Sequence, residues 1–259
     1  MRTIYSLVAT ISYTFTFLFA EIQEVHHFKE LKNYVDSDSF LLIDIDDTLL
    51  IPDQMLGCDE WFMERMKELQ NNGFSFEEAL EKVLFEWEGI RSLTSMQLVE
   101  EDCKQMIEEL QEKKIPSICF TTQRFALAPR TIYQLNQHGI EMKRSSPILE
   151  NQFFMTQNLG ILFFDGVLFT NGTHKGKTLL NFCERNQLYP KKIVFINDKL
   201  SHLKEVELSC YENGIEFIGL RYAYSDKKKS SFDYTIAKFQ SNSINLEKII
   251  SDEEAKTKK

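Results

Sequence analysis

The chain has 259 residues, enough for one domain with an insertion or for two small domains. Hydrophobic residues make up 43% and charged residues 27%, the balance of a globular protein with a real core, which excludes wholesale disorder, a collagen-like repeat and a coiled-coil rod. The formal net charge of −9 excludes non-specific capture of nucleic acid, whose phosphates an acidic surface repels.

The first stretch, MRTIYSLVATISYTFTFLFA, has a single basic residue, Arg2, and no other charge before Glu21. This pattern predicts a secretory signal peptide over 1–20, cleaved after Ala20, and an exported chain, periplasmic or secreted. The alternative is an uncleaved membrane anchor, against which stand its Ser and Thr residues and its short length. No stable membrane span is expected after removal of the leader.

Residues 22–35 suit a helix, and 40–46 form an apolar run with the length of a buried strand. Between 59 and 112 the chain turns rich in Glu, Lys, Leu and Met, with Trp61, Met63, Met66 and Leu69 at helical spacing. Ser75 and Glu78 match a capping box. A second buried strand is predicted at 115–121 and a helix at 126–139, stopped by Gly139. Runs at 159–164 and 166–170 flank Asp165-Gly166, which favours a tight hairpin, and Asn171-Gly172 is a further turn signal. A helix at 176–187, a strand at 192–196, a helix at 199–212, a strand at 215–220 and a helix at 244–250 complete the pattern.

Strands alternating with helices predict an α/β fold, a Rossmann-like parallel sheet with helices on both faces. The helical block is too long for a simple crossover. It is read as a small α-helical cap, 57–112, inserted after the first catalytic strand, with the crossover helix at its end. The α/β core is then 21–56 and 113–250, and 251–259 is a polar, frayed tail.

The five cysteines are odd in number and include no C-x-x-C, so neither a zinc site nor a disulfide scaffold is indicated. The histidines show no ligand spacing and suit surface roles. Lys227-Lys228-Lys229 reads as a solvated loop.

In a parallel sheet, ligands bind beyond the C-terminal strand ends. Asp44, Asp46 and Asp47 end the first strand; Thr121, Thr122 and Arg124 end the second; Asn197, Asp198 and Lys199 end the third. In extended chain Asp44 and Asp46 point the same way about 6.6 Å apart. At an effective dielectric of about 20 their repulsion is on the order of 2.5 kcal/mol. A divalent cation reverses that sign, and an oxygen-rich site of this kind suits Mg²⁺. Asp47 is read as a turn residue outside direct contact with the metal.

Asp44-Ile45-Asp46-Asp47-Thr48 after an apolar strand resembles the D-x-D-x-T signature of the haloacid dehalogenase superfamily of phosphohydrolases. Thr122-Gln123-Arg124 resembles its second motif, Lys175-Gly176 its third, and FINDK, 195–199, its fourth, in the family's order over about residues 38–222. The layout, with GCDEWF at 57–62 and GIEFIGLRY at 214–222, is similar to a bacterial subfamily whose members often carry export signals. The resemblance implies that Asp44 is the nucleophile and that Asp46 protonates the leaving oxygen and then activates water. It implies that Asp44, the main-chain carbonyl of Asp46 and Asp198 hold Mg²⁺, with Asn197 standing where the family usually has an acid. Thr122 and Lys175 would bind phosphoryl oxygens, and Thr121 and Arg124 would contact substrate. The function so implied is Mg²⁺-dependent hydrolysis of a small phosphate monoester through an aspartyl-phosphate. The alternatives are a binding or effector protein on the same fold with weak or no catalysis, and a phosphotransferase using the same aspartate.

Overall fold

The computed structural model describes residues 20–156, 158–242 and 249–258. The expected leader lies outside the described residues, except for the backbone of Ala20. Four strands predicted from apolar runs form adjacent members of one sheet: β2 (Ser39–Ile43), β5 (Ser117–Thr121), β9 (Lys192–Asn197) and β10 (Glu216–Tyr222). The full sheet adds β1 (Ala20–Val25), β6 (Gln152–Thr156), β7 (Leu159–Phe164) and β8 (Val167–Phe169), in the order β1-β10-β9-β2-β5-β8-β7-β6. It is parallel from β1 to β8 and ends in the antiparallel strands β7 and β6. A separate two-stranded ribbon pairs β3 (Leu50–Pro52) with β4 (Met96–Leu98).

The helices are α1 (Asp59–Asn71), α2 (Phe76–Leu93), α3 (Cys103–Glu112), α4 (Ala128–Gln137), α5 (Lys175–Arg185), α6 (Leu200–Glu212), α7 (Asp226–Ser230), α8 (Tyr234–Asn242) and α9 (Asp252–Lys258). The central strand β2 shows why its sequence is a continuous apolar run. Leu41 and Ile43 face a cluster completed by Met106, Leu110 and Leu135 from α3 and α4. Phe40 and Leu42 face the opposite cluster, with Leu179 and Phe182 of α5 and Val206 of α6. A strand covered on both faces has no polar side to display. The result is a mostly parallel α/β sheet flanked by helices on both sides.

Tertiary pairing overrode local pattern at both ends of the chain. Residues expected to open a helix at 22–35 instead form β1, paired in parallel with β10; only Phe28–Asn33 is helical, as a 3₁₀ turn that buries Phe28 and Leu31. An edge strand's pairing outweighs a weak local preference. The tail expected to fray is α9, docked by buried Ala255 and by Asp252, whose Oδ1 accepts from Met55 N at 2.9 Å and Gln240 Nε2 at 2.8 Å. The helix expected at 244–250 lies outside the described residues except for Ile249 and Ile250, which are not helical.

Local signals elsewhere hold. Ser75 and Glu78 form the reciprocal capping box of α2. Asp165-Gly166 turns the β7–β8 hairpin with positive φ at both residues, 46° and 82°.

The block 57–112 divides between two cores. Trp61 and Met66 of α1 pack with Val83 and Trp87 of α2, joined by Ala237 of α8. Helix α3 instead buries Cys103, Met106 and Ile107 against the sheet. All five cysteines are free thiols. No helix among the described residues is long and apolar enough to cross a membrane.

Gly176 permits the contact between α5 and α6. A Cβ there would lie 2.2 Å from Ser209 Oγ and 2.3 Å from the Glu205 carbonyl oxygen. Part of that clash is with backbone, which cannot rotate away. Gly176→Ala should therefore cost about 1–3 kcal/mol in urea unfolding; an unchanged midpoint would show that the helices separate freely.

Candidate active site

Three strand ends of the sheet meet at one place. Asp44 follows β2 directly, and its N–H donates to the Ile196 carbonyl of β9 at 3.0 Å. Asp47 sits in the left-handed region at φ 59°, as its reading as a turn residue requires, and closes the loop by donating to the Leu50 carbonyl at 2.9 Å. The buried Thr48 hydroxyl accepts from the N–H of Asp198 at 3.1 Å and locks the β2 and β9 loops together.

Lys175 opens α5 and is fully buried. Its Nζ lies 2.6 Å from Asp44 Oδ1 and donates to the Phe120 carbonyl at 2.8 Å, between the Phe120 and Phe195 rings, each 5.0 Å away. Burial opposes both charges: it pushes Asp44 up to about 7 despite Lys175, and it lowers Lys175 despite Asp44. Lys177, the other lysine of that segment, is exposed.

Asp46 is held through both oxygens. Oδ1 accepts from Arg91 Nη2 of α2 at 2.5 Å, and Oδ2 accepts from Gln123 Nε2 at 2.8 Å; Thr131 in turn donates to Gln123 Oε1 at 2.6 Å. Two further ion pairs tie the α1–α2 layer to this floor. Lys199 meets Asp59 of α1, and Arg124 Nε lies 3.2 Å from Glu88 Oε1 of α2. Burial works against the Asp59 charge, but Lys199, Lys229 and Arg91 outweigh it and its pKa is lowered.

The two candidate threonines have different surroundings. Thr121 is buried and its Oγ1 accepts from Gln123 N at 3.1 Å. The half-buried Thr122 lines the cavity, and among the described residues its hydroxyl has no hydrogen-bond partner. Arg124 also lines the cavity while paired to Glu88.

Asp198 is buried beside this cluster. Its Oδ2 accepts from Lys229 Nζ at 2.7 Å, and Lys229 lies 3.7 Å from Asp47 Oδ2. Burial raises Asp198 and Asp47, the second strongly, with neighbouring carboxylates adding to the effect. Asn197 does not join the acids. Its Oδ1 accepts from Lys199 N at 2.7 Å, and its amide nitrogen lies 3.5 Å from His202 Nδ1. His202, expected on the surface, lines the cavity; burial, with Lys175 and Lys199 nearby, pushes it down to about 3. It is neutral at neutral pH.

The cavity measures 690 Å³. Its lining includes Asp44, Asp46 and Thr122, together with apolar Phe62, Met63, Leu84, Trp87 and Phe232 and charged Glu60, Glu64 and Lys67. Such a shape takes a small ligand with one charged end.

A divalent cation can be tested against the donors present. Among the described residues no set of three or more His, Cys, Asp or Glu side chains is arranged to hold a metal. The oxygen donors on the two loops are fewer: the carboxylates of Asp44 and Asp198 and the main-chain carbonyl of Asp46. Mg²⁺ accepts such a set because it keeps several waters. The Oδ1 of Asp198 is buried without a hydrogen-bond partner, an orphan acceptor that a hard cation would satisfy. The residues fit.

Arg91 carried no motif in the sequence, and Gln123 and Asp59 lay inside quoted stretches, Thr122-Gln123-Arg124 and GCDEWF, without a role of their own. Arg91 and Lys229 reach the site from distant segments, which only the fold brings close. Lys229, expected in a solvated loop, is instead paired with buried Asp198 and faces Asp47.

A Chlamydia pneumoniae protein described as "Putative outer membrane protein" is 27% identical over 252 residues, 93% of this chain and 94% of its own. A Chlamydia trachomatis protein of the same description is 23% identical over 234 residues, 90% of this chain and 87% of its own. Among solved structures, a haloacid dehalogenase-like hydrolase from Streptococcus pneumoniae is 16% identical and covers 74% of this chain and 98% of its own, with a TM-score of 0.43. A superposition that loose carries no inference about this chain. The family model described as "Protein of unknown function (DUF2608)" matches residues 24–256, and the chain belongs to that family.

Proposed function

We propose that this protein is a Mg²⁺-dependent phosphate monoester hydrolase that works through a phosphoaspartate on Asp44. The observation that carries this reading is the buried Lys175–Asp44 pair, 2.6 Å apart, in which Asp44 lines the cavity and Lys175 lies behind it. Two buried charges are expensive to keep, and their place at a strand end beside a second acid suits chemistry better than stability. Asp44 attacks phosphorus, the bond from phosphorus to the ester oxygen breaks, and Asp46 gives that oxygen a proton. Asp46 then takes a proton from the water that cleaves the phosphoaspartate, so the two steps balance. Lys175 and Thr122 hold phosphoryl oxygens as charge spreads over them. When bound by Asp44, Asp198 and the Asp46 carbonyl, Mg²⁺ supplies positive charge to those oxygens.

In this reading α1 and α2 form the cap, with α3 belonging to the core, and the apolar side chains Phe62, Met63, Leu84, Trp87 and Phe232 receive the leaving group. The leader pattern and the description of the Chlamydia relatives as outer membrane proteins support an exported protein.

The test is release of phosphate from para-nitrophenyl phosphate by the purified protein with Mg²⁺, together with mass spectrometry of protein quenched during turnover. One phosphoryl group on the Asp44 peptide is the expected result. Neither release nor modification, across aryl, alkyl and sugar phosphates, would sink the reading.

A further inference from the structure

The acid cluster carries a cation of its own where a metal has to enter. We propose that Lys229 is a tethered counter-ion that competes with Mg²⁺ for Asp198, so that metal loading requires its departure; the proposal rests on the metal-dependent reading above. Its Nζ is 2.7 Å from Asp198 Oδ2 and 3.7 Å from Asp47 Oδ2. Lys229 lines the cavity and Asp198 does not. The Asp198 side chain is 1% exposed and borders a separate pocket with Arg221 and Asp226, so Lys229 is its contact on the side of the cavity.

The other acids of the cluster have their own partners. Asp44 has Lys175, Asp46 has Arg91 and Asp59 has Lys199. Asp47 and Asp198 share Lys229, so two carboxyl groups face one ammonium. A divalent ion in its place would bring more positive charge to the same two groups. A divalent ion on the free Oδ1 of Asp198 would stand a few ångströms from an ammonium on Oδ2, and the repulsion favours departure of Lys229, which unlike Lys175 is not fully buried.

The element that carries Lys229 can release it. Helix α7 has five residues and buries none of its side chains. It is held by the Arg221–Asp226 pair and by Lys228 donating to the Pro52 carbonyl, neither of which involves Lys229. The lysine can therefore swing away without disturbing an apolar core.

Two measurements on the full chain test this. In the unaltered protein, amine acetylation read by mass spectrometry should find Lys229 protected without metal and several-fold more reactive at saturating MgCl₂, with buried Lys175 protected in both states. Lys229→Gln removes the charge and keeps a donor for Asp198. By calorimetry it should bind Mg²⁺ about tenfold or more tightly than wild type. The proposal is overturned if Mg²⁺ leaves Lys229 reactivity unchanged or lower, or if the variant binds no more tightly. Phosphate release by wild type separates the two readings: hydrolysis with unchanged Lys229 reactivity removes only the counter-ion, and no Mg²⁺ binding by either protein removes both.

Discussion

Replacing Lys175 with methionine should destabilise the protein by about 3–5 kcal/mol, and adding Asp44→Asn to that variant should restore most of the loss. Each single change leaves a buried charge without its partner. Asp44 is 5% exposed and Lys175 fully buried, so water cannot replace either one. Methionine fits the space between the Phe120 and Phe195 rings as a flexible apolar chain. Removing both charges removes the burial cost along with the attraction, and the two effects nearly cancel. Urea unfolding of wild type, both single variants and the double variant gives the coupling directly. Additive losses would show that the pair is not the unit that burial stabilises. Activity should behave differently: Asp44→Asn alone should cut phosphate release by on the order of a thousandfold or more, and the stable double variant should be equally inactive. Recovery of stability without recovery of turnover separates a site that holds the fold from one that performs chemistry.

Arg91→Leu should lower stability by about 2–4 kcal/mol and kcat by roughly 10–100-fold. The guanidinium is 5% exposed, donates to Asp46 at 2.5 Å and stacks 4.8 Å over the Trp87 ring. It is the part of α2 that reaches the reacting acid, so it couples the helical layer to the floor. Leucine keeps apolar contact with Trp87 but leaves Asp46 with only Gln123. In an Asp46→Asn background the effect of Arg91→Leu on stability should shrink by about 1–3 kcal/mol, because no carboxylate remains to be stranded. Equal losses in both backgrounds would mean that Arg91 acts through Trp87 packing alone. The kcat effect should vanish in that background, where Asp46 has no proton to give.

The strands at 40–46, 115–121, 192–196 and 215–220 were legible because burial on both faces removes alternation and leaves uninterrupted apolar runs. Asp165-Gly166 and the Ser75–Glu78 box were legible because turns and caps are local chemistry. The hydrogen bond that engages the Asn197 amide oxygen was not legible. The residue's place in the chain matched a ligand position, but its amide oxygen satisfies the Lys199 N–H two residues on, a competition that only backbone geometry settles. The strand β1 and helix α9 were misread for a related reason: each takes its form from a distant partner, β10 in one case and Met55 and Gln240 in the other.

By itself the sequence determined the alternating α/β pattern and the strand ends that carry Asp44, Thr122 and Asp198, since these depend on hydrophobic periodicity and near neighbours along the chain. Tertiary structure alone decided which cation meets which acid. Arg91 is 45 residues from Asp46, Lys175 is 131 from Asp44 and Lys229 is 31 from Asp198. Charge pairing has no sequence period; it follows from which loops the sheet order brings within a few ångströms, where burial makes every unpaired charge costly.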